Sequence, residues 1–247
     1  MRALSSILYR EWALFSSSRS SFISALVEPV IYIVFFLPGI GQMLSAGQNT
    51  YILFALPGIL LIAALSVGVN VGSPVFFDRY TGEMETLFTL PVPRASLFLG
   101  RLISAFLRML AKGFVTIVLA SLLYPSVRSL GAPALILLLI SASGVSVVVS
   151  CFFIYIAATV KNQGQFNLYM NLLITPLLLT SSAFYPIENL PEWLRWVAAA
   201  NPLTYLVASM RCITTNSSLI LGTIAAISII SVVSIFGALR RFERSIS

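Results

Sequence analysis

The sequence predicts an all-α integral membrane protein with six transmembrane helices and both termini in the cytoplasm, and three observations predict it. Of its 247 residues, 58% are hydrophobic and only 9% are charged, and the mean hydropathy is +0.97. A soluble domain carries about 25% charged residues, so 15 basic and 8 acidic side chains cannot cover a water-facing surface of this size. The apolar residues also gather in charge-free runs, and a bilayer core needs about 20 such residues in a helix. Finally, the basic residues fall unevenly between those runs. The length suits one compact membrane domain, residues 1–247.

No charge occurs between Glu28 and Asp78. Gly39, Gly41, Gln42 and the 45–50 stretch divide this region into two spans, near 22–44 and 51–75. The first apolar run is long and ends in no clean small-residue cleavage site, so it is expected to stay as span 1 rather than act as a removable leader. Pro29 and Pro38 are expected to kink span 1 or mark irregular ends. Pro57 is expected in the first turns of span 2, where its missing N–H costs least.

The segment from Asp78 to Arg94 is polar, with five charges in 17 residues. Gly82 and the Pro91/Pro93 pair bracket a piece around Glu83 and Glu85 long enough for about two helical turns. By residue type it reads equally as a solvated turn or as a docking helix for a partner. Arg101, Arg108 and Lys112 then recur at near-whole turns on one helical face. That face predicts a surface lead-in to span 3, near 106–127, with the long basic side chains snorkelling to the interface.

A 32-residue charge-free run, 129–160, holds span 4 near 134–158. Gly144 and Ser141, Ser143, Ser146 and Ser150 make one side of it small enough for close helix contact. Lys161, Asn162 and Gln163 form a polar turn, and span 5 follows near 166–184 with Pro176 inside it. Residues 189–211 differ in character. Pro191 can open a short helix carrying Trp193 and Trp196, Asn201-Pro202 breaks it, and a second short piece runs to Arg211. Such aromatic density suits headgroup level. Span 6 is expected near 218–239.

With six spans, 12 of the 15 basic residues fall on the side of the termini, leaving Arg128, Arg195 and Arg211 opposite. The positive-inside rule then places the termini and the 78–94 loop in the cytoplasm and 185–211 outside. A net charge of +7 therefore reflects orientation and lipid headgroups rather than nucleic-acid binding.

Chemistry is sparse. Histidine is absent, which removes the commonest metal ligand and general base. Cys151 and Cys212 make neither a disulfide framework nor a metal site. No phosphate-binding loop or nucleophile–base pair is visible. Glu28 is the one acid placed within a span. It reads as a functional intramembrane carboxylate, as an interfacial residue, or as the partner of a nearby arginine. Asn70, Asn167 and Asn171 are costly in lipid and are expected to face protein or a cavity, as candidates for lining a route.

Two motifs, read in order, resemble the membrane subunits of type-2 ABC exporters, the ABC-2 permease family. The first is Asp78-Arg79-Tyr80-Thr81-Gly82-Glu83-Met84-Glu85-Thr86-Leu87, continuing to Pro91-Val92-Pro93-Arg94 and Gly100-Arg101. The second is Phe184-Tyr185-Pro186, then Leu190-Pro191 and Asn201-Pro202-Leu203-Thr204-Tyr205, ending at Arg211. The likeness covers essentially the whole chain. It departs at Ala208, a region where the family often has an acid, so an ion pair from such an acid to Arg211 does not carry over.

The resemblance implies a half-transporter that moves a hydrophobic, amphipathic or saccharide-type substrate out of the cytoplasm. A second copy or a related permease would complete the route, in the cell inner (cytoplasmic) membrane. An N-terminal interface helix, residues 2–19 with Arg10 and Glu11, and the coupling segment 78–91 would receive cytoplasmic ATPase subunits, where ATP and Mg would bind. This chain would hold no cofactor and no ATPase site. The coupling residues carried over are Arg10, Glu11, Asp78, Arg79, Gly82, Glu83, Glu85, Leu87, Pro91 and Arg94. Those of the external re-entrant segment are Tyr185, Pro186, Pro191, Trp193, Trp196, Asn201, Pro202, Tyr205 and Arg211. Two other readings compete: an ion-coupled secondary carrier centred on Glu28, and a membrane assembly protein with no substrate.

Overall fold

The computed structural model describes residues 27–43, 48–83, 94–187, 190–215, 234, 235 and 237. Its elements are helices throughout, and among the described residues no strand occurs. A first helix, α1, covers residues 27–43. It is followed by α2 (Gln48–Tyr80), α3 (Arg94–Leu123), a single turn α4 (Pro125–Arg128), α5 (Ala132–Thr159), α6 (Gln163–Thr180), α7 (Glu192–Ala200) and α8 (Pro202–Thr214). Three of them, α2, α3 and α5, are long and apolar enough to cross a membrane. The proposed interface helix and most of the sixth span, 218–239, lie outside the described residues.

The core is built where α2 runs against α5, because small residues bring the two backbones together. Gly68 and Gly72 lie one turn apart on α2. A Cβ on Gly68 would fall 2.5 Å from Val149 Cγ1, and one on Gly72 would fall 2.7 Å from Phe153 Cβ. This is the small-xxx-small spacing that drives close packing in lipid, where hydrophobicity offers no preference for protein over acyl chain. On α5, Ser143, Ser146 and Ser150 are fully buried. Their hydroxyls bond to carbonyls of their own helix, Ser143 to Leu139 at 2.8 Å and Ser150 to Ser146 at 2.7 Å, so their burial leaves no polar group unmet. Ser146 also reaches the Ala105 carbonyl of α3. Gly113 of α3 meets Leu139 of α5 in the same way, with a Cβ there lying 2.8 Å from Leu139 Cδ1. Helix α8 packs onto α2 and α5 through Leu203, Leu206, Val207 and Met210.

The boundaries depart from the sequence expectation in instructive places. Helix α2 runs on to Tyr80, so Asp78 and Arg79 are helical rather than part of a loop. It stops at Gly82, whose φ of 78° is the left-handed conformation that ends helices. Pro57 sits ten residues into α2, in its third turn. Helix α3 starts at Arg94, not near 106, and ends at Leu123. The surface lead-in and span are one continuous helix, because its basic face turns inward: Arg101 and Lys112 are buried. Lys112 does not snorkel. Helix α6 ends at Thr180, four residues short of the expected limit. There the chain is drawn aside, with Ala183 laid against Gly58 and the Phe184 ring stacked on Tyr32 at 5.9 Å and tilted against Phe36 at 4.7 Å, both of α1.

Helix α1 is irregular for a reason readable in its chain. Over Ile31–Phe36 it is a π-helix, and the Leu37 N–H reaches back five residues to the Tyr32 carbonyl. Pro38 follows and has no N–H. The Ile33 carbonyl therefore loses both of its candidate donors, since Leu37 is engaged elsewhere and Pro38 has none to give. The Tyr124 hydroxyl, at the α3–α4 junction, donates to that carbonyl at 3.2 Å.

Tyr124→Phe removes the donor and leaves a buried carbonyl unmet. The expected cost is about 1–3 kcal/mol, seen as a lower unfolding temperature in detergent. A Tyr124→Phe protein as stable as the parent would show that the Ile33 carbonyl finds another donor.

Candidate functional site

The polar side chains gather at three levels along the bundle. At the near end, where α2 finishes and α3 begins, the Arg101 guanidinium donates to Asp78 at 2.5 Å. Asp78 precedes the end of α2 and Arg101 follows the start of α3, so this ion pair closes the base of the connection between them. One residue on, Arg79 donates to the Ala157 carbonyl at 2.8 Å. That carbonyl belongs to the last turn of α5, where a cation is favourable to the helix dipole. Asp78 and Arg79 together thus tie α2 to both α3 and α5. The placement corrects the expectation that both side chains lie in an open docking loop; each is engaged within the chain.

Gly82 and Glu83 are exposed beyond this clamp. Glu85, Leu87 and Pro91 lie outside the described residues, as do Arg10 and Glu11. Of Arg94 only its place at the start of α3 is described.

The middle level holds the buried charges. Lys112 of α3 donates to the carboxylate of Glu28 on α1 and to the Ser66 hydroxyl of α2 at 3.1 Å. Lys112 lies eleven residues past Arg101 and Ser66 twelve before Asp78. At 1.5 Å per residue both helices put this contact roughly 16–18 Å deeper than the near-end clamp. Glu28 is therefore held deeper in the bundle than the near-end clamp. Its partner is a lysine 84 positions away rather than a nearby arginine. The Lys112 side chain is 5% exposed and that of Glu28 27%. One contact joins α1, α2 and α3, and each charge neutralises the other where water is scarce.

The far end is built from the 181–215 segment. Asn201 is buried and does three things at once. Its Oδ1 accepts from the Leu203 N–H at 2.9 Å, capping α8. Its Nδ2 donates to the Leu177 carbonyl at 2.6 Å and to Thr180 Oγ1 at 2.9 Å, fastening the α7–α8 turn to α6. Pro202 follows at the first helical position, where a missing N–H costs nothing. Pro191 precedes α7 as its N-cap residue.

Trp193, Trp196 and Tyr205 are exposed, and the Tyr205 hydroxyl donates to the Ala199 carbonyl at 2.7 Å. Tyr185 and Pro186 are half-buried beside Phe184, and burial pushes the Tyr185 phenol up from its ordinary range. Arg211 donates to the Ser182 carbonyl at 2.7 Å and the Phe54 carbonyl at 3.3 Å. Its guanidinium also lies 3.6 Å from the centre of the Phe54 ring. Carbonyls and a ring face thus hold Arg211 at the position where the sequence lacks an acid.

Asn70, Asn167 and Asn171 are exposed on the surface of the single chain. On α6 the reason is geometric. Phe166 and Met170 are buried against the bundle, which turns Asn167, Asn171 and Thr175, each four residues from the last, outward. Sequence reading had no access to three contacts: the Lys112–Glu28 pair, the Asp78–Arg101 pair and the Tyr124 hydroxyl. One signal for the first was present, because Lys112 interrupts an otherwise apolar span and Glu28 is the one acid inside another.

The sequence pattern of the family described as "ABC-2 type transporter" matches residues 2–214. Among individual proteins, the chain is 26% identical over 203 residues to a putative transport permease, ycf38, of Cyanophora paradoxa, covering 79% of this chain and 68% of that protein. It is 25% identical over 206 residues to the daunorubicin resistance ABC transporter permease protein DrrB1 of Streptomyces coeruleorubidus, covering 83% and 72%. It is 24% identical over 196 residues to the inner membrane transport permease YadH of Escherichia coli K12, covering 76% and 75%.

Replacing Lys112 with Met strands the Glu28 carboxylate. The expected destabilisation is about 3 kcal/mol, the low end of the range for a broken buried pair because Glu28 keeps some exposure. The double variant Glu28→Gln with Lys112→Met is expected to recover most of it. A double-mutant cycle of unfolding in detergent with no coupling between the two positions would rule the pair out.

Proposed function

The chain belongs to the ABC-2 type transporter family, and from that premise we propose that it is the membrane-spanning half of an ATP-driven exporter whose energy comes from separate cytoplasmic ATPase subunits. The observation that carries this reading is the near-end clamp. Glu83, exposed, begins the connection between two long helices whose ends are tied to each other and to α5. A push on that connection moves three helices as one body rather than bending a loop. In this reading Glu83 and Glu85 meet the ATPase, with Leu87, Pro91, Arg94, Arg10 and Glu11 around them. Asp78 and Arg79 are positioning residues that pass the movement on.

Six spans with both termini inside put this end in the cytoplasm, on the side rich in basic residues. The multi-pass chain then sits in the cell inner membrane, as the name of the Escherichia coli relative says of that protein. ATP and Mg act in the ATPase partner. A second copy or a related permease covers the outward-facing Asn167 and Asn171 of α6, and with Asn70 these line the shared route. The cargo is hydrophobic, amphipathic or saccharide in type. Relatives named for daunorubicin and doxorubicin resistance support its amphipathic end. Lys112 weighs against an ion-coupled carrier, since the carboxylate such a carrier would titrate already has a cation fixed to it.

Co-expressed with its ATPase and reconstituted, a variant with Glu83→Ala and Glu85→Ala is expected to lose transport fivefold or more, the effect of about 1 kcal/mol of lost coupling, while still reaching the membrane. Asp78→Asn is expected to keep ATPase binding but lower the transport achieved per ATP. If ATPase binding, coupled turnover and transport were unchanged in both variants, the coupling assignment would fail.

A further inference from the structure

An apolar groove of about 510 Å³ runs between α3 and α5 at the far end, well away from the coupling connection. Phe114, Val118 and Leu122 form one wall, and Leu135, Ile136 and Leu139 form the other. Arg128 stands at its mouth. From Phe114 to Leu122 the wall extends roughly 12 Å along the helix axis. Among the described residues, no carboxylate lines the groove.

The position of Arg128 is fixed. Its Nε donates to the Ser121 carbonyl at 2.6 Å and its Nη2 to the Leu122 carbonyl at 3.1 Å. Both carbonyls belong to the last turn of α3, which the break at Tyr124 leaves without helical donors. A guanidinium carries five N–H donors, and the Arg128 side chain is exposed. Neither ion pair found among the described residues involves it. The connection it sits on joins two membrane-length helices, so Arg128 lies at headgroup level whichever leaflet that end occupies.

We propose that this groove is a binding site for an anionic phospholipid, one acyl chain lying between α3 and α5 and the phosphate meeting Arg128. The match is in both parts of the ligand. The groove offers an unbroken apolar channel that starts at the headgroup boundary and runs inward, as an acyl chain does. Its mouth offers one held cation with donors to spare, which forms charge-assisted bonds to a phosphate. A net-neutral headgroup also has a phosphate, but its own ammonium competes for it, so a lipid with net negative charge is preferred. The site does not depend on the transport reading, because it involves neither the coupling connection nor the route-facing asparagines.

The test is native mass spectrometry of the delipidated, detergent-solubilised full chain, titrated with dioleoyl phosphatidylglycerol or dioleoyl phosphatidylethanolamine. The parent is expected to bind phosphatidylglycerol about fivefold more tightly, the worth of one cation at a membrane surface. Arg128→Gln is expected to bring the ratio close to one. Arg128→Lys keeps the charge and is expected to retain most of the preference, which guards against a loss of folding being read as a loss of binding. Ile136→Trp, on the exposed lip of α5, fills the groove and is expected to weaken both lipids alike. Equal binding of the two lipids by the parent, or a preference unchanged in Arg128→Gln, would overturn the proposal. So would efficient disulfide cross-linking of Ile136→Cys between two copies in membranes, since the groove would then be covered by protein.

Discussion

A bilayer interior has no water to offer a stray charge or an unpaired carbonyl, and the polar contacts of this chain follow from that constraint. Several buried polar groups are met by another part of the same chain, often across a large sequence distance. Lys112 meets Glu28 and Ser66. The Ile33 carbonyl, orphaned by the π-turn and Pro38, meets Tyr124. Asn201 meets α6 and the start of its own helix. Arg211 meets two carbonyls and a ring. In lipid, hydrophobicity does not hold helices together, so such contacts, with close packing, set which helix lies beside which. The chain is apolar in composition, but its architecture is specified by its few polar residues.

Packing supplies the other half. Gly68, Gly72 and Gly113 let α2, α3 and α5 approach until side chains of the neighbouring helices touch backbone. The buried serines of α5 then fill the seam without asking anything of neighbours. The outcome is a block stiff enough to move as a unit. The clamp of Asp78, Arg79 and Arg101 stands at the end of this block from which the 81–93 connection springs. Helix α1 is attached differently. It is held at Glu28, at the Ile33 carbonyl and at the Tyr32/Phe36/Phe184 ring cluster, and much of its remaining surface is exposed. Ile33 and Leu37 on its inner face also join the core.

Much of the fold was legible in the sequence because hydropathy and helix breakers act locally. The long apolar helix from Ala132 is readable from a charge-free run, and the α7–α8 break from Asn201-Pro202. What escaped reading depends on partners far along the chain. The basic face of α3 has the spacing of a surface helix, and nothing local says that Arg101 and Lys112 have acids waiting 23 and 84 positions away. For the same reason α3 was read as starting too late. The spacing predicts basic side chains that snorkel to the interface, whereas this helix buries Arg101 and Lys112 against counter-charges. The end of α6 was misread because Gly58 admits the Ala183 backbone, and a notch in another helix leaves no mark on the sequence of α6 itself. For the site, the two motifs name residues but not their contacts. Asp78 and Arg79 carry the motif and spend their bonds inside the chain.

The asparagines bring these points together. Asn167 and Asn171 lie outward on a helix whose inward face is satisfied by Phe166 and Met170. Lipid is the least favourable surrounding for an amide, and the buried charges and the Ile33 carbonyl of this chain are met from within it. A chain that answers a lysine with a glutamate and a carbonyl with a tyrosine would not leave two amides on one helical face to hydrocarbon. Their exposure is better read as a surface completed by something outside the chain. A second copy would supply polar partners of the same kind, and a water-filled route between copies would supply solvent. In the proposed exporter, the polar face of α6 would be the boundary between this subunit and the path between copies. The charged pair at Lys112 remains inside the subunit as part of its frame.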